Sequence, residues 1–249
     1  MKKIYSEYKN KLDFEVLSGG MVLPAQPVSI GDTAKYIEES YPRIEEITGI
    51  KFGEDYLWHI RHPETSDWFP DSEKPAIALC IFKEYYPELQ VSFAADLQYA
   101  LHFEGRDLTD DEAYRLLLHK YNIPEEDFYE KLQDEEYKEK AHYEFALCKQ
   151  LNVTGFPAVF VQLTESKFYL VAQGFTDFET LHERIENVLN EPGNDYSHTA
   201  WPKIKRSLFV VLLFWNWMFS KTEQSIPLSN YHSKIILLEK DLKWKERGI

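Results

Sequence analysis

The spacing of apolar residues changes period four times along the chain. Ile4, Tyr5 and Tyr8 fall at helical spacing and predict the tail of a helix over residues 1–9. Leu12-Asp13-Phe14-Glu15-Val16-Leu17 then alternates, which predicts a strand with one buried face, ended by the turn Ser18-Gly19-Gly20. From Asp32 to about Tyr143 the apolar positions recur at three and four and prolines separate the segments, so this stretch reads as an all-helical block. Within it, Pro75 opens PAIALCIFKEYY at a favourable N1 position, and Thr109 stands three residues before Glu112, the spacing of a capping box. After Gly155 the strand period returns. AVFVQ, the polar turn TESK and FYLVAQ predict an antiparallel hairpin, and DFETLHERIENVL predicts a closing helix with Thr176 or Asp177 as N-cap. Strands flank a helical insertion of about 32–143, which makes the class α/β.

Composition narrows the function classes. At 249 residues, 44% hydrophobic and 15% aromatic, the chain can bury a sizeable core. Its formal net charge of -14 argues against a sequence-independent grip on nucleic acid or anionic lipid, which need a surplus of Lys and Arg at the contact face. The charge is uneven. Residues 191–249 carry nine Lys or Arg against six Asp or Glu, whereas residues 1–190 carry nineteen against thirty-six. Four of the six tryptophans also lie in the tail, and EPGNDYSHT reads as a linker, so a boundary is expected near Asn190. MKKIYSEYKNKLDFEV has two lysines but no apolar run behind them. It does not read as a secretory signal, and a cytoplasmic location is expected.

The stretch NVTGFPAVFV, Asn152 to Val161, puts a proline at the threshold of a run that otherwise reads as a buried strand. Proline has no N–H for a ladder, so it belongs at a first strand position, an edge or a bulge. A helix ending at QLNV, then Thr-Gly-Phe-Pro, then a strand and its antiparallel partner resembles the second half of a thioredoxin fold. The segments LDFEVLSGGMVL, KPAIALCIFKE, LQDEEYKEKAHYEFALCKQLNVTGFPAVFV and QGFTDFETLHERIENVL resemble, in order, those of the DsbA-like branch of that superfamily, in particular its cytoplasmic FrnE-like members. The resemblance runs from Lys11 to Asn190. It implies a thioredoxin-like, DsbA-like sheet with a large helical insertion. It also implies that Pro157 is cis and that Gly155, Phe156 and Pro157 shape an edge where an extended peptide substrate docks.

The same resemblance exposes what is lacking. Such oxidoreductases use a Cys-x-x-Cys at the start of the first thioredoxin helix, where the helix N-terminus favours the attacking thiolate. The 249 residues contain no such motif. Residues 1–9 resemble the later part of that helix, so the chain is expected to be N-terminally truncated relative to the family, without its first strand and redox pair. Cys80 and Cys148 sit in apolar helical stretches and read as small core hydrophobes, not catalytic thiols. Loss of a central strand would leave ladder groups on its two neighbours unpaired, at on the order of 1–3 kcal/mol for each buried one. One candidate filler is SLFVVLLFWNWMF, Ser207 to Phe219. It is expected to pack on the domain. Insertion into the vacant strand position and a membrane anchor beside the KIKR cluster are the alternatives, although the run is shorter than a span of about 20 residues.

Other constellations carry less. His59 and His62 could share a helical face, with Glu64 close by, yet no third and fourth metal ligand is evident. The acidic run Glu125, Glu126, Asp127, Glu130, Asp134, Glu135 and Glu136 lacks the glycine and alternating oxygens of a calcium loop and reads as a solvated helix face. No cofactor, metal or catalytic residue is assigned. The expectation is a homologue of DsbA-family thiol-disulfide oxidoreductases that is itself redox-inactive, whose partner is an extended peptide or protein. A non-catalytic peptide-binding module and a glutathione-using isomerase or transferase of the same fold remain as alternatives.

Overall fold

The computed structural model describes residues 1–164, 166–191, 207–212 and 234–237. Helix α1 (Lys2–Tyr8) and strand β1 (Asp13–Ser18) open the chain. The helical block follows as α2 (Gly31–Thr48), α3 (Glu54–Arg61), α4 (Glu73–Tyr85), α5 (Gln90–His102), α6 (Arg115–Tyr121), α7 (Glu125–Leu132) and α8 (Glu135–Gln150). Strands β2 (Ala158–Thr164) and β3 (Lys167–Gln173), helix α9 (Phe178–Leu189) and strands β4 (Ser207–Leu212) and β5 (Lys234–Leu237) complete it.

The described residues form two compact units. One comprises residues 1–17, 147–191, 207–212 and 234–237, and the other comprises Ser18–Ala146. The first holds the sheet, ordered β1-β4-β2-β3-β5. β2 is antiparallel to both neighbours, with Ala158 opposite Gln173 on one side and opposite Val211 on the other. Ala158, Val159, Phe160 and Val161 are all buried, as befits a central strand covered on both faces. One face packs Leu17, Ala158, Phe160, Phe168, Phe209 and Val211 against Leu147, Cys148 and Leu151 at the end of α8. α9 lies against β3 and α1 against α9.

The expected hairpin is present, but its ladder slips between Val159 and Phe160 and again between Gln162 and Thr164. The run from Ser207 enters the sheet as a strand between β1 and β2, so over Ser207–Leu212 the structure shows strand insertion, the alternative to packing on the domain surface. Residues 213–219 of that run lie outside the described residues. The chain after Asn190 is therefore not wholly an attachment: β4 and β5 both belong to the sheet. The reason is burial, because Leu208, Phe209, Val210 and Val211 are all buried and a strand apolar on both faces finds cover only inside a sheet.

In the helical unit, α4 packs on α5 and α7, with Phe82 and Phe93 stacked at 3.9 Å between ring centroids. Two helix starts differ from expectation. α4 begins at Glu73 because Asp71 Oδ1 accepts from the N–H groups of Glu73 and Lys74, which moves Pro75 inside the first turn. Thr109 caps nothing. Its N–H and Oγ1 both donate to Asp107 Oδ1, and Asp110 accepts from Glu112 N–H instead. Among the described residues, no helix is long and apolar enough to cross a membrane.

Candidate functional site

The loop from α8 to β2 is built from its first residue by helix termination. Asn152 adopts φ 54°, its N–H donates to the Lys149 carbonyl at 3.0 Å, and the Val153 N–H donates to the Cys148 carbonyl at 3.1 Å. This is a Schellman closure with asparagine in the left-handed position, and Val153 packs on the same cluster as Cys148, the apolar contact that accompanies such closures. The helix therefore stops abruptly, and Thr154 to Pro157 cross to the sheet.

Three contacts hold that crossing. Thr154 Oγ1 accepts from Gln173 Nε2 at 3.0 Å, and the Pro157 carbonyl accepts from Gly174 N–H at 2.8 Å. Phe156 is half-buried against the core face of the sheet. The Phe156–Pro157 peptide bond is cis. Gly155 is buried, and a Cβ there would lie 3.0 Å from Gln173 Nε2 and 3.1 Å from Gln173 Cγ, closer than an ordinary contact. Among the described residues, the main-chain N–H and C=O of Gly155 and Phe156 make no hydrogen bond. Unpaired main-chain groups at the mouth of a strand can pair with an added chain.

Gly155, Phe156 and Pro157 are thus contiguous in one loop at the start of β2. The sequence reading missed Thr154 and Gln173, whose side chains brace that loop. The thiols are placed differently. Cys148 is buried in the cluster at the end of α8, and Cys80 is buried on α4, where its Sγ donates to Glu144 Oε1 at 3.6 Å. Neither forms a disulfide. Glu144 is itself buried and accepts from Lys83 Nζ at 2.6 Å and from the Ser18 N–H at 2.8 Å. Cys80 is thus part of a buried polar group with Glu144 and Lys83.

The remaining polar groups serve packing. His59 stacks on Trp68 with ring centroids 3.9 Å apart, and its Nδ1 is 2.8 Å from Ser66 Oγ; burial depresses its pKa. His62 stands 3.9 Å from Glu64. No cluster of three metal-ligating side chains occurs among the described residues. The acidic run is partly paired, with Glu125 beside His119 at 2.6 Å and Asp127 beside Lys131 at 2.9 Å. A cavity of about 300 Å³ in the helical unit is lined by Asp71, Lys74, Thr109, Leu132 and Lys138 among others, and Lys74 is engaged there by the Thr109 carbonyl at 2.6 Å and Asp111 at 2.8 Å. Tyr8, on α1, holds α9 through a bond to Glu186 Oε1 and a contact with His182 Nδ1, both 2.8 Å. Burial first, and then the bond to Glu186, raise its phenol above the ordinary range.

Comparison with known proteins identifies the fold. Residues 65–186 match the DSBA-like thioredoxin domain. A crystal structure of a "putative protein disulfide isomerase" from Nitrosomonas europaea superposes with a TM-score of 0.65 at 22% identity, covering 77% of this chain and 89% of that one. The cytosolic disulfide reductase DsbM from Pseudomonas aeruginosa superposes with a TM-score of 0.51 at 22% identity, covering 70% and 82%. No curated protein matches by sequence. The fold is the DsbA-like thioredoxin fold carrying a helical insertion.

Proposed function

We propose that this chain is a homologue of the DsbA-family thiol-disulfide oxidoreductases, of the FrnE-like kind, that keeps the family's polypeptide-docking end and does not itself exchange disulfides. The observation that carries the reading is the Gly155–Pro157 loop. It stands at the start of the central strand β2 with the main-chain groups of Gly155 and Phe156 unbonded among the described residues, while Cys80 and Cys148 are both buried. The ligand is an extended polypeptide, which adds its main chain to such a loop without needing a charged or metal-bearing site. Disulfide exchange requires an accessible thiolate, and neither buried cysteine offers an accessible sulfur. A cytoplasmic location belongs to the same reading. Two cysteines without a disulfide suit a reducing compartment, and one structural neighbour is named as cytosolic.

Two assays test it. The full chain should bind carboxamidomethylated insulin B chain saturably, and Pro157→Ala, which frees φ at the entrance to β2 and adds an N–H there, should abolish binding. In parallel, insulin reduction by dithiothreitol should run no faster with the chain than without it. Catalysis of reduction would overturn the inactivity, and a failure to bind would overturn the docking role.

A further inference from the structure

We propose that Gln173 is the positioning residue of the docking loop: through Thr154 it holds the main chain of Gly155 and Phe156 in the shape that receives an extended polypeptide. The inference deepens the reading above and rests on it. Gln173 is the last residue of β3 and pairs with Ala158, the first of β2, so its backbone is fixed by the ladder directly beside the loop. From there its carboxamide reaches back, and Nε2 donates to Thr154 Oγ1 at 3.0 Å. The side chain lies across Gly155 so closely that the Cβ of any other residue would meet Gln173 Nε2 at 3.0 Å and Cγ at 3.1 Å. A side chain at 155 would therefore require the Gln173 carboxamide to give by a few tenths of an ångström. The next residue completes the brace, since Gly174 N–H bonds to the Pro157 carbonyl at 2.8 Å, which pins the loop's other end.

What the brace leaves open defines the ligand. Between the two pinned ends, the unbonded main chain of half-buried Phe156 follows the buried Gly155, and none of the residues from Thr154 to Pro157 is charged. Such an edge reads the repeating N–H and C=O groups of an extended main chain, so it takes unfolded polypeptide with little regard for side-chain charge. Without the bond from Gln173, Thr154 can turn, and the edge must be ordered at the moment of binding, which weakens affinity without a contact being lost.

The test measures anisotropy of fluorescein-labelled, carboxamidomethylated insulin B chain on the full-length protein. Gln173→Met keeps the length of the side chain and removes the donor; Thr154→Val keeps the shape and removes the acceptor. Each should weaken binding about fivefold, as loss of one neutral hydrogen bond does. The double variant should be no weaker than either single one, because both break the same bond. Thermal midpoints should stay at the wild-type value, which a merely structural role would lower. Wild-type affinity in Gln173→Met, or full additivity in the double variant, overturns the positioning role while leaving docking intact. A wild-type chain that does not bind the probe overturns both.

Discussion

His102 is a titratable group whose burial has a signed consequence. At the end of α5 its ring stands edge-on to Phe52 and Tyr56, and Nδ1–H donates to the Gln98 carbonyl at 3.0 Å. Desolvation by burial lowers its pKa to about 4, and the Gln98 bond only partly opposes the shift. The unfolded chain takes up this proton near an ordinary value of about 6.5, so the unfolded state binds more protons between the two values. Stability from a neutral buried His102 is complete above about pH 6.5 and is lost as the pH falls toward the folded value, with a slope of at most about 1.4 kcal/mol per pH unit. Urea unfolding at a series of pH values should show that slope in the wild type and a shallower one in His102→Gln. Carboxylates common to both proteins cancel in the difference, so identical pH profiles would show that the imidazole is not held neutral.

At the scale of elements, β4 carries the largest departure from what local pattern reveals. Phe209 lies edge-to-face with Phe168 at 5.4 Å between centroids and belongs to the core face that also supports Phe156. Phe209→Ala should cost about 3–5 kcal/mol of a total near 5–15 kcal/mol, and Ser207→Ala, at the half-buried end of the strand, should cost about 0.5 kcal/mol or less. Equilibrium urea unfolding of the full chain decides this, and a neutral Phe209→Ala would mean the strand is no part of the core. Elements set by neighbours in sequence were legible: the hairpin from its alternation, and the start of α9 from Asp177, whose carboxylate accepts from Thr180 N–H at 2.8 Å. Pro75 was misplaced because Asp71 accepts from the Glu73 and Lys74 N–H groups and starts the helix two residues earlier, and Thr109 because Asp110 takes the Glu112 N–H. The position of β4 was open, since a run apolar on both faces fits packing, insertion or a membrane, and only long-range pairing with β2 decides. In the site, Gly155, Phe156 and Pro157 formed a local motif. The brace from Gln173 did not: the two slips in the ladder cancel, so the count from the turn does place it opposite Ala158, but its reach to Thr154, nineteen residues away, depends on how the loop folds back over β3.

For the molecule as a whole, charge and site are separated in kind. The chain carries a formal -14, and residues 1–190 hold nearly twice as many acids as bases, yet the loop Thr154–Pro157, which we propose as the docking edge, carries no charge. A field of this sign attracts cationic chains over distances up to the Debye length, about 10 Å at 0.1 M salt, and contributes little to contacts made once water is excluded. Electrostatics should therefore govern arrival at the loop, and main-chain pairing should govern residence there. Stopped-flow binding of the insulin B-chain probe, with and without an added oligolysine tag, separates the two. The tagged probe should associate faster at low salt and lose about tenfold or more of that rate as salt is raised, while its dissociation rate stays close to that of the untagged probe. A dissociation rate that climbs with salt would place charged contacts in the bound complex itself, and the polypeptide would then be held by the acidic surface and not by the edge at Gly155 and Phe156.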